Sequence, residues 1–440
     1  MGIIKKRIHF IGIGGISISA LAMLARDKNY IVTGSDNNSI PRIDELKEYG
    51  IDCYLGCNIE KIIDADFVVY SSAVPFSNIE IAFCEANSIP IIARSEFLGM
   101  VAKEYRNVIA VSGTHGKTTT TCMLAHILRA AEASVTAHIG GISENYNTNY
   151  FNKGNEIFLT EACEYRKSFL SLDPQIGIIT NVDYDHVDTY NSLEEVRDTF
   201  IEFANKCDFV IIPSNLDCID IKIEKCTFGN IDSTYYAQII EVDEYYSNFN
   251  LCSYEHTLIY DIGVRAGGRY NIDNAICACV AAIKLGISPD CIRKAMGTFI
   301  GVKRRYERIG KVHGVTVIHD YAHHPSEIEK VIDVAKLGGR VCVVFEPHTS
   351  NRTDVLFDQF CECFQSATML VLLPTYCARN NCNGLVDSVA LAKGVVNKDV
   401  HYADSYKLAY DYVLNNINDI DTILVLGAGN VYKFAQMLVL

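Results

Sequence analysis

The segment that most limits how this chain can fold is Val111-Ser-Gly-Thr-His-Gly-Lys-Thr-Thr-Thr120. An apolar run, Val108–Val111, leads into it, and a helix-forming stretch, Thr119–Ala131, follows. A strand that turns through glycines into a helix points backbone N–H groups inward, where they cradle phosphate oxygens. On this reading Gly113, Thr114, His115, Gly116, Lys117, Thr118 and Thr119 form an ATP loop. Lys117 reaches the terminal phosphates and the Thr118 hydroxyl sits on Mg²⁺. The strict pattern G-x-x-x-x-G-K-[ST] fails, because Val111 holds the first glycine position. A solvated turn is the alternative, and the strand and helix on either side weigh against it.

The rest of the chain repeats the same alternation. Strand candidates are Ile8–Ile13, Phe67–Tyr70, Ile176–Asn181, Phe209–Ile212, Val315–Ile318, Val341–Phe345, Met369–Leu373 and Ile423–Leu426. They are apolar on both parities, as buried parallel strands are. Helical patterns such as Ile18–Arg26, Leu193–Asn205 and Asn274–Leu285 lie between them, which implies an α/β fold. Breaks near Arg94–Arg106 and Gly297–Lys311 divide the 440 residues into three domains, 1–102, 103–305 and 306–440. The Tyr- and Asp-rich stretch from Lys222 to Tyr270 reads as a small antiparallel insertion in the middle domain.

A net charge of −14 argues against nucleic acid as a partner, since the chain would repel a phosphate backbone. The 17 cysteines are scattered without metal or disulfide spacing, and are expected to be free thiols in a reducing cytoplasm. No run approaches the roughly 18 apolar residues that span a bilayer. A soluble, cytoplasmic protein is expected.

Other motifs close strands in the same way. Gly12, Gly14 and Gly15 follow the first strand and resemble a dinucleotide turn, although Ser17 holds the third glycine position. Asp36 ends the next strand, where a ribose-binding acid would lie. That constellation suits a nicotinamide cofactor or any nucleotide diphosphate. Glu161, past Ile157–Thr160, is placed to support Mg²⁺ beside a phosphate loop. His186, among Asp183, Asp185 and Asp188, suits a metal ligand or a proton-transfer group. His323 and His324 can point the same way on a loop, which Pro325 marks. His348 and Arg352, beyond Phe345, are placed to hold a carboxylate.

Ile11-Gly-Ile-Gly-Gly15, Ser112–Thr119, Glu161-Ala-Cys-Glu164, Thr180-Asn with Asp185-His186, Asp320–Pro325 and Gly427-Ala-Gly-Asn430 occur in the order found in the Mur ligases. The chain resembles that family over nearly its whole length, most of all the members that join L-alanine to UDP-N-acetylmuramate. The resemblance implies an N-terminal Rossmann-like domain for the UDP-sugar, a central P-loop ATPase, and a C-terminal Rossmann-like domain for the amino acid. It implies that Gly12, Gly14, Gly15 and Asp36, with Ser71 and Ser72, bind the UDP-sugar rather than NAD. Lys117 would contact the γ-phosphate, and Thr118, Glu161 and His186 would hold Mg²⁺. Asn271 and Asn274 would meet adenine, and Arg305 and Asp320 would meet ATP. Tyr321, His323, His348 and Arg352 would receive L-alanine. The chain departs from the family's usual residues at Tyr270 (His), His319 (Asp) and Thr349 (Arg in some members).

The implied reaction phosphorylates the sugar-linked carboxylate with ATP, and the amine then attacks the acyl phosphate. Catalysis would rest on Lys117, with His186 or His348 as the base. A monomer or homodimer is expected. A ligase that recycles preformed peptide, a nicotinamide oxidoreductase and a non-catalytic sugar-nucleotide binder are the competing readings. The last two leave Lys117, Glu161 and His186 without work.

Overall fold

A computed structural model describes residues 6–217, 220–254, 256–377, 387–396 and 399–440. Three sheets follow one another along the chain, each a product of buried apolar runs. The first holds β1 (Arg7–Ile11), β2 (Ile31–Asp36), β3 (Asp52–Leu55), β4 (Phe67–Tyr70) and β5 (Ile91–Ala93). All pairings are parallel, in the order β3-β2-β1-β4-β5. The order reverses between β1 and β4, so the turns leaving those two strands flank a crevice. The expected strand Ile8–Ile13 stops at Ile11 because Gly12, at φ +76°, turns the chain.

The central sheet has ten strands: β6 (Asn107–Ser112), β7 (Val135–Ser143), β8 (Thr148–Asn152), β9 (Ile157–Glu161), β10 (Ile176–Ile179), β11 (Phe209–Pro213), β12 (Glu224–Gly229), β13 (Tyr235–Val242), β14 (Ser247–Ser253) and β15 (His256–Val264). Its order is β15-β14-β13-β12-β11-β10-β6-β9-β7-β8. The stretch expected to be an antiparallel insertion is instead the continuation of this sheet. Strand β12 pairs parallel to β11, and β13 parallel to β12, before β14 and β15 turn antiparallel. Its last residues, Arg269 and Tyr270, open the helix Arg269–Lys284.

The third sheet holds β16 (Glu307–Val312), β17 (Val315–Asp320), β18 (Val341–Phe345), β19 (Met369–Leu372), β20 (Val400–Tyr402) and β21 (Thr422–Leu426), in the order β16-β17-β21-β18-β19-β20. Only β16 runs antiparallel. Apolar clusters cover both of its faces.

One apolar cluster runs without interruption from the first sheet into the central region, joining Phe10, Leu21 and Phe97 to Phe158 and Phe200. The break expected at Arg94–Arg106 is mostly the helix Arg94–Ala102, packed into that cluster. Fourteen described cysteines are free, as expected, but Cys377 is disulfide-bonded. Among the described residues no helix is long and apolar enough to cross a membrane.

The turn after β6 needs its glycines. Gly113 has φ +132°, and a Cβ there would lie 2.0 Å from the Thr180 hydroxyl. Gly116, at φ +81°, starts the helix Lys117–Ala130, and its Cβ would lie 2.3 Å from Asn274 Oδ1. Side chains are disfavoured in such conformations, at about 1–3 kcal/mol each. Gly113→Ala should therefore lower stability by about 1–3 kcal/mol or more in urea unfolding. An unchanged midpoint would show that the loop yields freely.

Candidate active site

Three adjacent parallel strands, β10, β6 and β9, deliver the chemistry from their carboxyl ends. The Lys117 ammonium donates to the Thr114 carbonyl at 3.0 Å and lies 2.9 Å from Glu164 Oε2. Glu164 also accepts from the other side, where His186 Nε2 is 3.2 Å from its Oε1. His186 has φ +53°, which brings its ring back toward Glu164. Burial pushes the Glu164 carboxyl up, but Lys117 and His186 outweigh it and hold the group below the usual range. Burial opposes the charge on Lys117 as well, and Glu164 more than restores it.

Glu161 closes β9. Its Oε1 accepts the Gly140 N–H at 2.6 Å and its Oε2 accepts the Thr118 hydroxyl at 3.2 Å. Burial raises its pKa despite those contacts. A buried carboxylate beside a hydroxyl is an all-oxygen donor pair, which suits a hard divalent cation.

A cavity of about 850 Å³ opens from this loop. His115, Gly116 and Thr119 form one end; Asn271 and Asn274 lie along it with Tyr270, Arg305, Asp320 and Glu327. Asn274 accepts from Thr120 and donates to Asn271, which donates to the Gly267 carbonyl, so both amides are oriented. Asp320 accepts the N–H groups of Tyr306 and Ala322, both at 2.7 Å, and so ties the connecting segment to β17. Burial pushes its carboxyl up to about 6. Tyr321 stacks beneath two guanidiniums, those of Arg304 and Arg305, each 5.0 Å from its ring centre.

The residues expected to receive the amino acid gather around another pair. Arg352 Nε donates to Asp185 Oδ1 at 2.8 Å and Nη2 to Oδ2 at 3.2 Å, with both side chains buried. The guanidinium expected to hold a substrate carboxylate is thus engaged by an acid from the central region. His348 is next to it: its carbonyl accepts from Arg352 Nη1, and its ring packs edge-on to His323 and stacks on Tyr376. His323 and His324 point apart, contrary to expectation. The first turns to the Tyr321 carbonyl; the second caps the helix Pro325–Lys336 and reaches the Tyr184 carbonyl.

In the first region Gly12 and Ser71 meet: a Cβ on Gly12 would lie 3.3 Å from Ser71 Cβ, and Ser71 N–H donates to the Ile11 carbonyl. Gly15 caps the helix Ile16–Asp27, and Ser72 follows Ser71 in the turn after β4. Asp36 accepts the Gly14 N–H at 2.9 Å, so this acid shapes the glycine turn. Ser17, the departure from the dinucleotide pattern, bonds His138 of β7 and Arg94, which fastens the first region to the central one.

Comparison with known proteins agrees with this layout. Residues 7–106 match the description "Mur ligase family, catalytic domain", 111–282 match "Mur ligase middle domain", and 304–429 match "Mur ligase, glutamate ligase domain". The chain belongs to the Mur ligase family. A UDP-N-acetylmuramate–L-alanine ligase of Clostridium acetobutylicum is 38% identical over 99% of this chain and 97% of its own length. One from Clostridium beijerinckii is 36% identical over 97% and 96%. The crystal structure of a UDP-N-acetylmuramate–alanine ligase from Thermotoga maritima superposes with a TM-score of 0.82 at 26% identity, covering 98% of each chain.

The structure also brings Glu164, Asp185 and Glu327 to this site, acids to which no motif of the sequence gives a partner. Glu164 lies three residues after Glu161, and no local pattern signals its tie to Lys117. Asp185 pairs with a residue 167 positions away, which no local pattern signals.

Burial pushes the Asp185 carboxyl up, yet Arg352 outweighs burial and holds it well below its ordinary 3.8. A depressed folded pKa gives stability that is present above the unfolded value and lost as pH falls through the folded one. Arg352→Ala should cost about 3–5 kcal/mol at about pH 7, because it strands a buried charge. The deficit should shrink below about pH 4, where Asp185 of the variant, without its guanidinium, is protonated and no longer a stranded charge. Equal deficits at both pH values in urea unfolding would count against the pair as their source.

Proposed function

We propose that this Mur ligase uses ATP to join L-alanine to the lactyl carboxylate of UDP-N-acetylmuramate, with release of ADP and phosphate. The observation that carries this reading is the meeting of Lys117, Glu161, Glu164 and His186 at the ends of adjacent strands, beside a cavity shared with the C-terminal region. The relatives named above support the choice of substrates.

A carboxylate resists attack because its leaving group would be oxide. In the first step its oxygen bonds to the γ-phosphorus and ADP departs. In the second the amine bonds to the acyl carbon and phosphate departs. Lys117 stabilises the charge that moves onto the phosphoryl oxygens. Thr118 and Glu161, with His186, would hold Mg²⁺, which would neutralise phosphate charge. Asn271 and Asn274 orient the base, and Arg305 and Asp320 complete the nucleotide site from the connecting segment. The Gly12–Gly15 turn and Ser71–Ser72 take the UDP group. His323, His348 and Tyr321 line the amino-acid side, where Arg352 acts as an anchor held by Asp185. His186 faces Glu164 and has its role beside the Mg²⁺, which favours His348 as the base that takes the amine proton. The domain division 1–102, 103–305 and 306–440 assigns one substrate to each part.

The test is ADP release with UDP-N-acetylmuramate and Mg²⁺, supplied with L-alanine, glycine, L-serine or a preformed tripeptide. L-Alanine should give the highest kcat/KM. Preference for the tripeptide would sink the alanine assignment and point to a recycling ligase. Lys117→Ala should lower ADP formation by about a thousandfold or more and leave UDP-sugar binding intact. Ligation retained in that variant would refute the role of the loop.

A further inference from the structure

A second cluster of ligating side chains bridges the ATP loop and the C-terminal region, and the reaction above does not use it. His115 Nε2 lies 3.5 Å from Asp183 Oδ2, and His324 Nδ1 lies 3.9 Å from the same oxygen. All three ligand atoms fall within 4.8 Å of one another. A tetrahedral site with bonds of roughly 2.0–2.1 Å separates its ligand atoms by roughly 3.4 Å, so modest side-chain shifts would close the set.

Both rings are already oriented from behind. His115 Nδ1 is 3.0 Å from Glu327 Oε1, and His324 Nε2 is 3.1 Å from the Tyr184 carbonyl. A ring nitrogen facing such an oxygen carries the proton, which leaves a lone pair on the other nitrogen. The Glu327–His115 pair has the carboxylate–histidine form that supports metal-bound imidazoles.

Ser326 Oγ sits among the three candidates, 2.7 Å from Asp183 Oδ2, 3.0 Å from His115 Nε2 and 2.9 Å from His324 Nδ1. With those tautomers, three acceptors face a single hydroxyl proton. The Ser326 N–H adds only a long contact of 3.3 Å to His324 Nδ1. The cluster is therefore short of positive charge. Burial opposes a charge on His115, but Glu327 and Asp183 overcome it and raise its pKa. Burial lowers the pKa of His324, which keeps that ring ready to donate its lone pair. Either a proton on His115 or a bound cation meets the deficit, and the two compete.

We propose that His115, Asp183 and His324 form a site for a transition-metal ion of the zinc class, which fastens the C-terminal region to the ATP loop. Ser326 Oγ or a water supplies the fourth ligand. Two imidazoles favour such an ion over Mg²⁺, whose preferred oxygen donors lie at Thr118 and Glu161. Asp183 is 38% exposed at its side chain, which gives the ion a way in. Because His115 belongs to the ATP loop, the ion holds loop and C-terminal region together and slows the opening that substrate exchange requires.

The test titrates Co²⁺, whose visible absorption intensifies in four-coordinate sites, into metal-free full-length protein kept in excess Mg²⁺. One equivalent should bind with that signature and be displaced by Zn²⁺. Asp183→Asn and His324→Gln should each weaken binding by about 100-fold or more. Glu161→Gln should leave it unchanged. Thermal unfolding without added metal shows which variants are folded; Asp183→Asn, an isostere at a half-buried position, keeps the test open if His324→Gln does not fold. The proposal is overturned by no binding above the Mg²⁺ background, or by equal binding to folded Asp183→Asn. It is overturned as well if Glu161→Gln abolishes binding, since the ion would then sit at the Mg²⁺ position.

Discussion

The bidentate pair between Asp185 and Arg352 crosses from the central sheet to the C-terminal region where almost no water reaches. Asp185 is 6% exposed and Arg352 8%. Opposite charges interact strongly at such a place, and either one alone would be costly to bury. The pair thereby sets how the third sheet stands against the ATP loop.

The segment that carries Asp185 does more than make this pair. Asn181 braces the ATP loop by accepting the His115 N–H and donating to its carbonyl. Asp183 accepts the Ser326 hydroxyl from the C-terminal region. His186, in a left-handed conformation, turns the other way to Glu164 and so to Lys117. The span from Asn181 to His186 thus reaches the glycine loop, Glu164 beside Lys117, Ser326 and Arg352.

Much of the fold was legible. Strands such as β6, β10, β18 and β21 are apolar on both faces and bounded by glycine or polar turns, so their positions follow from burial alone. The stretch from Lys222 to Tyr270 misled because its outer strands alternate in polarity. Alternation reports one exposed face, and it does not say which neighbour a strand pairs with. The histidine pair misled for a related reason. His324 is a helix cap, and a cap points where the helix axis sends it, whereas His323 follows the preceding loop.

The sequence by itself determined the phosphate loop, the order of the three α/β regions and the chemical types gathered at strand ends. Those follow from local rules: glycines where backbone must turn, apolar runs where strands are buried, acids and hydroxyls where buried strands end. Only the tertiary structure decided the partners. It gave Glu164 to Lys117, Asp185 to Arg352, Asp36 to the Gly14 N–H, and Ser17 to His138 and Arg94. The physical reason is that a buried charge or hydrogen-bonding group must be satisfied by whatever the fold brings near. That neighbour can be more than a hundred residues away, as Arg352 is from Asp185.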